Sequence, residues 1–428
     1  MTEKNINVPV LARVEGEGAL DIQIRDNKLT KVNLRIFEPP RLFEKFLEGR
    51  EPNEVIDAVA RICGICPIAY QMSAAHALES IFDMHPHQWI RTMRRAFYCG
   101  EWIESHAIHI HMLAGPDFMG YPSALEMAKD HPEVVKNGMK IHGLGNELMS
   151  LFGKRGVHPV GACVGGFYFA PTPKDVKTML EKLETHLPLA EKILEWTASL
   201  DLPQQKQDFT CVCLRHPDEY AINEGRIVSS KGLDIIIDDY EQHFQESQSP
   251  HSTALHSHLH GKPYLVGPLA RVNLNYDLLP DVIKTKLKAL DITFPSYNMF
   301  HSIIARAVEI YYAMLEAIRI LRAYVYHDQP AVAMTPKASV GFGCTEAPRG
   351  LLWHRYETLN DGRIKKAKIV PPTSQNQARI EEDLRTYLEN YGLHHDDEKL
   401  RFASEVVIRN YDPCISCSTH FLTLRVDR

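Results

Sequence analysis

Along residues 18 to 36, GALDIQIRDNKLTKVNLRI, apolar and polar side chains alternate with a period of two on either side of Asp26-Asn27. A strand turns successive side chains to opposite faces, and Asx residues tolerate the positive φ of a tight turn, so this stretch predicts a β-hairpin. From about Glu54 the apolar spacing lengthens to i, i+3, i+4, i+7, and it stays helical past His111. Pro116, Pro122 and Pro132 punctuate a loop-rich stretch before a further helix ending near Phe152. The segment TPKDVKTMLEKLETHLPLAEKILEWTASL predicts two helices bent at Pro188, with Thr172 or Asp175 as the cap. Residues 208 to 275 mix short strands with turns, and SYNMFHSIIARAVEIYYAMLEAIRILRAY is a long helix, largely apolar on one side. Residues 338 to 372 return to β-structure, with an Asp361-Gly362 hairpin between LLWHRYETL and IKKAKIV. Polar helices from about Gln375 and about Glu398 lead to the chain end. No repeat or low-complexity linker separates these elements. The pattern predicts one α+β unit over residues 1–428, mainly α, with a helical-bundle core and peripheral β-hairpins.

Composition narrows the class. Of 428 residues, 44% are hydrophobic and 24% charged, which is ample for a large core. A net charge of −6 with no Lys/Arg block argues against a nucleic-acid surface. No run of eighteen apolar residues offers a membrane span, and the charged start MTEKNINVPV lacks the apolar region of a secretory signal. A soluble cytoplasmic protein is expected. The nine cysteines are too sparse for a disulfide scaffold, and in a reducing compartment paired thiols bind metal or do redox work. Cys99, Cys163 and Cys344 read as small buried hydrophobes, and Cys211-Val-Cys213 as strand packing. His256-Ser-His258-Leu-His260 has metal-like spacing, but no Cys or carboxylate lies near it in sequence, so it reads as solvated surface.

Two CxxC pairs remain, Cys63 with Cys66 and Cys414 with Cys417, the second only eleven residues from the end. A CxxC turn aims both sulfurs at one point, which is a strong metal signal. A structural zinc ribbon places its pairs 15 to 20 residues apart, and a thioredoxin-type redox site needs one pair in a βαβ setting. Neither fits. If the four sulfurs converge, the last segment must be drawn into the protein centre, an ordering cost that makes sense where the metal is catalytic. Thiolates select soft or borderline transition metals over Mg²⁺ or Ca²⁺.

The frames RICGIC and DPCISCSTH resemble the paired signatures of the [NiFe]-hydrogenase large subunit, and the resemblance covers nearly the whole chain. RVEGEG (Arg13 to Gly18) is similar to that family's N-terminal glutamate motif. RLFEKFLEGREPNEVIDAVARIC places Glu44 at the family's distance from the first cysteine. EAPRG (Glu346 to Gly350) resembles its arginine loop, and VPPTSQN (Val370 to Asn376) its Pro-Thr loop. The resemblance implies a fold of that type, with Cys63 and Cys414 as terminal nickel thiolates. Cys66 and Cys417 would bridge nickel to an iron bearing cyanide and carbon monoxide. It further implies that Glu15 passes the proton released near Cys417, that Arg349 overhangs the open metal position, and that Asp412 holds Arg349. Pro372 and Thr373 would seat the cyanides. Glu44, His420 and the carbonyl of Ile369 would hold a second ion, Mg²⁺ or Fe²⁺. Heterolytic cleavage of H₂ agrees with such a set, because it needs a Lewis-acidic metal beside a base. A terminal thiolate, or a guanidine held rigidly in a dry site, would serve as that base, with a buried glutamate for onward transfer.

Departures from the family pattern are visible. Tyr70 stands where many members carry a histidine four residues after the second cysteine, with His76 as a substitute. ESHAIH offers Ser105, flanked by Glu104 and His106, where some members place an aspartate, leaving Arg349 one carboxylate partner. WIESHAIHIHML, GKRGVHPVGACVGGF and HSHLHGKPYLVGPLARVN resemble the cytoplasmic NAD(P)-linked or sulfhydrogenase-type branch. That branch implies an iron–sulfur small subunit and a flavin-containing, NAD(P)-binding diaphorase-type subunit as partners. The chain itself carries no nucleotide fingerprint. FLTLRVDR, residues 421–428, is similar to a tail that a maturation endopeptidase removes after nickel loading. The alternatives are a quinone-chamber relative, which would have lost the cysteines, an H₂ sensor, an F420- or heterodisulfide-linked hydrogenase, and a structural zinc protein.

Overall fold

The computed structural model describes residues 3–419. His420 and the tail 421–428 therefore lie outside the described residues.

The N-terminal strands β1 (Glu3–Val8), β2 (Gly18–Arg25) and β3 (Lys28–Ile36) form an antiparallel sheet in chain order. The β2–β3 turn is the expected one: Asp26 and Asn27 both take positive φ, 47° and 58°. The hairpin of β4 (Phe244–Gln248) and β5 (Leu255–Leu259) forms a second sheet. A third is the meander β6 (Val340–Ala347), β7 (Gly350–Thr358) and β8 (Ile364–Val370), turning at Asp361-Gly362 as its sequence indicates.

Helices that shape the interior are α1 (Pro52–Val59), α2 (Pro67–Ile81), α3 (Gln88–Ile108), α4 (Pro132–Gly153), α5 (Pro173–Ala198), α6 (Pro268–Asn275), α7 (Ser302–Arg322), α8 (Pro372–Tyr391) and α9 (Asp397–Tyr411). Four of these, α3, α4, α5 and α7, pack into the central bundle. The meander packs on α2, and the N-terminal sheet leans on α8 and α9. Both α2 and α7 are buried on nearly every face, as expected of helices apolar all round. Strand β6 crosses α2 so closely that a Cβ on Gly343 would lie 2.0 Å from the carbonyl oxygen of Ser73. Glycine is required there.

Two expectations need correction. The helical run from Glu54 is broken twice, by the cysteine turn at residues 60–66 and by residues 82–87, where Asp83 adopts φ 51°. Periodicity overlooked both breaks because buried apolar residues continue through them: Ala60, Ile62, Cys63 and Cys66 in the first, Phe82 and Met84 in the second. Conversely, Pro188 does not divide residues 173–198, which form one helix capped by the Thr172 side chain on the Asp175 N–H. A proline removes one intrahelical bond, and burial of Leu183, Ala190, Ile193 and Leu194 holds the helix across that gap.

Candidate metal centre

Cys63 lies in the turn after α1, and Cys66 is the N-cap of α2, with Pro67 in the first helical turn. The backbone N–H groups of Ile65 and Cys66 both point at Cys63 Sγ, at 3.3 and 3.4 Å, a nest that favours thiolate. At the far end of the chain, Asp412 terminates α9 in the left-handed region, φ 56°, and a short 3₁₀ turn (Ile415–Thr419) carries Cys417 back beside Cys414. The four sulfurs converge. Cys63 and Cys414 are 3.3 Å apart, Cys414 and Cys417 3.0 Å, and Cys66 and Cys417 3.8 Å. Each cysteine is no more than 3% exposed. In this dry cluster a hydrogen bond from Cys414 holds Cys63 well below the usual thiol range, and Cys414 is driven well above it, first by Cys417. A buried four-sulfur set sharing one centre fits soft transition metals.

The segment 414–419 is fastened to the N-terminal part of the chain. Glu15 pairs with Cys414 in a parallel bridge, its carbonyl accepting the Ile415 N–H at 2.9 Å. Its carboxylate accepts from the Ser416 N–H at 3.1 Å and lies 3.1 Å from Cys414 Sγ. Ser416 donates its hydroxyl to Glu38, and Arg41 reaches the Ser416 carbonyl and donates its own N–H to the Thr419 carbonyl. Glu15 was expected, as a buried glutamate, to take the proton released near Cys417; its carboxylate lies beside Cys414 and is half-buried.

Arg349, at the β6–β7 turn, is held from three directions. Its Nε donates to the Asp412 carbonyl (2.8 Å), Nη2 to Asp412 Oδ1 (2.9 Å) and Nη1 to Ser105 Oγ (3.3 Å). Burial opposes its charge, yet Asp412 and the nearby sulfurs keep the guanidinium well above its ordinary range. Thr373, in the first turn of α8, accepts the Cys414 N–H on Oγ1 at 3.1 Å, and Pro372 is buried beside it. Glu44 accepts the Ile369 N–H at 2.8 Å, which brings two of the three expected second-ion residues together; the third, His420, is outside the described residues. Tyr70 faces the cluster: burial, then Cys417 and Cys66, push its hydroxyl well up. His76 does not replace it, because its charged neighbours are Arg94, Glu79, Glu224 and Arg91.

Several supporting residues escaped the sequence reading. Glu101 accepts the N–H groups of Ile68 and Ala69, anchoring the start of α2, and burial raises its carboxyl far above normal. Burial likewise pushes Glu104 up to about 8, against the pull of Arg349. Arg271, fully buried on α6, clamps the arginine loop. It meets Glu309 through two 2.7 Å bonds and Glu346 at 3.0 Å, and it donates to the carbonyls of Ala347 and Pro348 at 2.8 and 2.9 Å. One signal was available, since charged Arg306 and Glu309 interrupt the otherwise apolar stretch 302–315 of α7. A surface cleft of about 960 Å³ near Asp208 and Lys231 touches none of the four thiols.

This geometry meets known proteins. A family model described as nickel-dependent hydrogenase matches residues 41–142 and 236–420. Sulfhydrogenase 1 subunit alpha of Pyrococcus furiosus is 34% identical over 429 residues, spanning 98% of this chain and 100% of that protein. Subunit beta of the NAD-reducing hydrogenase HoxS of Cupriavidus necator is 28% identical over 480 residues, spanning 99% and 96%. The solved structure of an NAD⁺-reducing [NiFe]-hydrogenase in the H₂-reduced state shares the fold, with a TM-score of 0.87 over 97% of this chain and 99% of that one, at 24% identity. The chain belongs to the nickel-dependent hydrogenase family. It is a hydrogenase large subunit, an oxidoreductase acting on H₂. Among the described residues no helix is long and apolar enough to cross a membrane.

Proposed function

We propose that this chain is the catalytic subunit of a cytoplasmic, heteromeric [NiFe]-hydrogenase that cleaves H₂ reversibly and delivers electrons to NAD(P) through partner subunits. The convergence of Cys63, Cys66, Cys414 and Cys417 on one buried point carries the reading. The whole length, residues 1–428, would act as one domain around it. Cys63 and Cys414 would hold nickel, and Cys66 and Cys417 would bridge it to an iron with cyanide and carbon monoxide ligands. Pro372 and Thr373 sit at the N-terminus of α8, where the helix dipole suits electron-rich ligands. Glu44, the Ile369 carbonyl and His420 would bind the Mg²⁺ or Fe²⁺ ion.

When bound, such a metal pair supplies the Lewis acidity and redox capacity for heterolytic H₂ cleavage. The chain's own groups manage the proton. Cys414 Sγ accepts it, and the Glu15 carboxylate, 3.1 Å away and half-buried, relays it outward. Arg349 is a fixed positive charge over a buried site, locked by Asp412 and Ser105. Electrons would leave through an iron–sulfur small subunit and a flavin-containing diaphorase-type subunit; the names of the sulfhydrogenase and NAD-reducing relatives support that branch. A maturation endopeptidase would remove residues 421–428.

Elemental analysis and infrared spectroscopy of the protein purified with its native partners test the proposal. One nickel and one iron per chain, with cyanide and carbon monoxide stretching bands, are expected. Zinc alone, with that spectral region empty and the tail already removed, would refute it.

A further inference from the structure

In sequence, the histidines of β5 have no carboxylate near them. In the fold, Glu381 from the middle of α8 reaches His256 of that strand and His251 just before it, although it stands 130 residues from His251. His251 Nε2 lies 2.7 Å from Glu381 Oε1, and His256 Nε2 lies 3.6 Å from Oε2. The three ligand atoms are all within 4.8 Å of one another. His258 and His260 do not join them. His258 is only half-buried, and His260 turns to the surface, 2.9 Å from His243.

His256 is the telling residue. It is 5% exposed, yet neither ring nitrogen has a hydrogen-bond partner among the described residues. A neutral imidazole carries one N–H and one lone pair, and buried structural histidines ordinarily satisfy at least one of them. The 3.6 Å gap is too long for a hydrogen bond, but it is close to the spacing of about 3.4 Å between donors on a tetrahedral ion with bonds near 2.1 Å. The surroundings resemble an orienting shell. The Leu34 N–H donates to Glu381 Oε1 at 2.8 Å and fixes the carboxylate. Ser249 Oγ lies 3.2 Å from His251 Nδ1; with Nδ1–H given to that hydroxyl, the Nε2 lone pair faces the carboxylate, an arrangement that a cation reconciles. Thr253 pins the intervening segment, its N–H on the Ile36 carbonyl at 2.8 Å and its hydroxyl on the Glu38 carbonyl at 2.9 Å.

We propose that His251, His256 and Glu381 bind one divalent transition-metal ion of the Zn²⁺ class, separate from the four-thiol centre, and that it clips the 249–256 segment to α8. Two imidazoles and one carboxylate suit zinc, nickel or cobalt and disfavour Mg²⁺ and Ca²⁺, which prefer all-oxygen sets. A cleft of about 440 Å³ that His251 helps to line leaves room for a water ligand to complete the coordination.

Cobalt(II) distinguishes this site from the thiols by its optical spectrum. The full-length protein, purified with its native partners and dialysed against a chelator, is titrated with Co²⁺. The expected result is uptake of one ion per chain, with ligand-field bands and no sulfur-to-cobalt charge transfer. The His256→Asn and Glu381→Gln variants should bind at least about ten-fold more weakly, because each removes a ligand. Cobalt should raise the melting temperature of the parent and leave that of the variants unchanged. If His256→Asn fails to fold, the half-buried His251→Asn carries the comparison. No uptake by the parent, a sulfur charge-transfer spectrum alone, or variants that bind as the parent does would each overturn the proposal and leave the triad as a hydrogen-bonded pair beside an idle histidine.

Discussion

Replacing Glu346 by glutamine tests how one buried cation serves two carboxylates. Arg271 binds both Glu309 and Glu346, but unequally. Burial alone would raise Glu309; two bonds from Arg271 override it and hold the carboxyl at about 2. Glu346 receives a single contact from Arg271 and an N–H from Leu214, so burial wins and pushes it up to about 7. With an unfolded value of 4.5, the folded protein binds the extra proton between pH 4.5 and 7. Stability therefore falls as pH rises through that window, and the loss is complete above it. The shift of roughly 2.5 units corresponds to about 3 kcal/mol. At about 2.1 cal/mol/K per residue, this chain unfolds with an entropy near 0.9 kcal/mol/K, so the effect on melting is about 4 °C. The Glu346→Gln amide cannot ionise. It leaves one of its two donors without an acceptor, a penalty of about 1–3 kcal/mol that does not depend on pH. The readout is thus the change in the gap between variant and parent. Differential scanning calorimetry at pH 4.5 and pH 8 should show the variant gaining about 4 °C on the parent at the higher pH. Parallel profiles, or a variant that loses ground at pH 8, would show that Glu346 is ionised throughout and refute the reasoning.

Three further outcomes are expected. Glu15→Gln should lower H₂ oxidation by about 10²- to 10⁴-fold with nickel content unchanged, since the amide beside Cys414 cannot relay a proton; unaltered turnover would remove Glu15 from the path. Thr373→Val keeps the shape but strands the buried Cys414 N–H, costing about 1–3 kcal/mol, and nickel retention after dialysis should fall; full retention would count against the contact. Gly343→Ala sets a methyl group 2.0 Å from the Ser73 carbonyl, against backbone that cannot rotate away, and should abolish soluble expression; a well-folded variant would mean that β6 and α2 are less tightly apposed.

What the sequence disclosed depended on how local the cause is. The Asp26-Asn27 and Asp361-Gly362 hairpins were legible because alternation and turn chemistry lie within a few residues. The breaks on either side of α2 were not, because buried apolar residues within them, such as Ile62 and Phe82, carry the same signal as buried helix. Pro188 misled for the opposite reason: its local penalty was outweighed by packing along α5. The cysteine pairs announced themselves by spacing. The partner of Glu15 was decided by backbone pairing 399 residues away, and the clamp of Arg271 on Glu309 and Glu346 joins separate elements. No window of sequence contains such contacts. His256 was misread the same way, for its carboxylate comes from another element.

The distance of 351 residues between Cys63 and Cys414 has a consequence for synthesis. At about 5–20 residues per second, roughly 20 to 70 s separate the emergence of the first cysteine pair from that of the second. Throughout that interval Cys63 and Cys66 are an unmatched dithiol on a nascent chain, open to stray zinc and to oxidation. Any chain released before Cys414 has half a site and nothing to close over it. Synthesis as far as Cys417 is thus the first proofreading step for the metal, since only a polypeptide that includes it can offer the fourth sulfur.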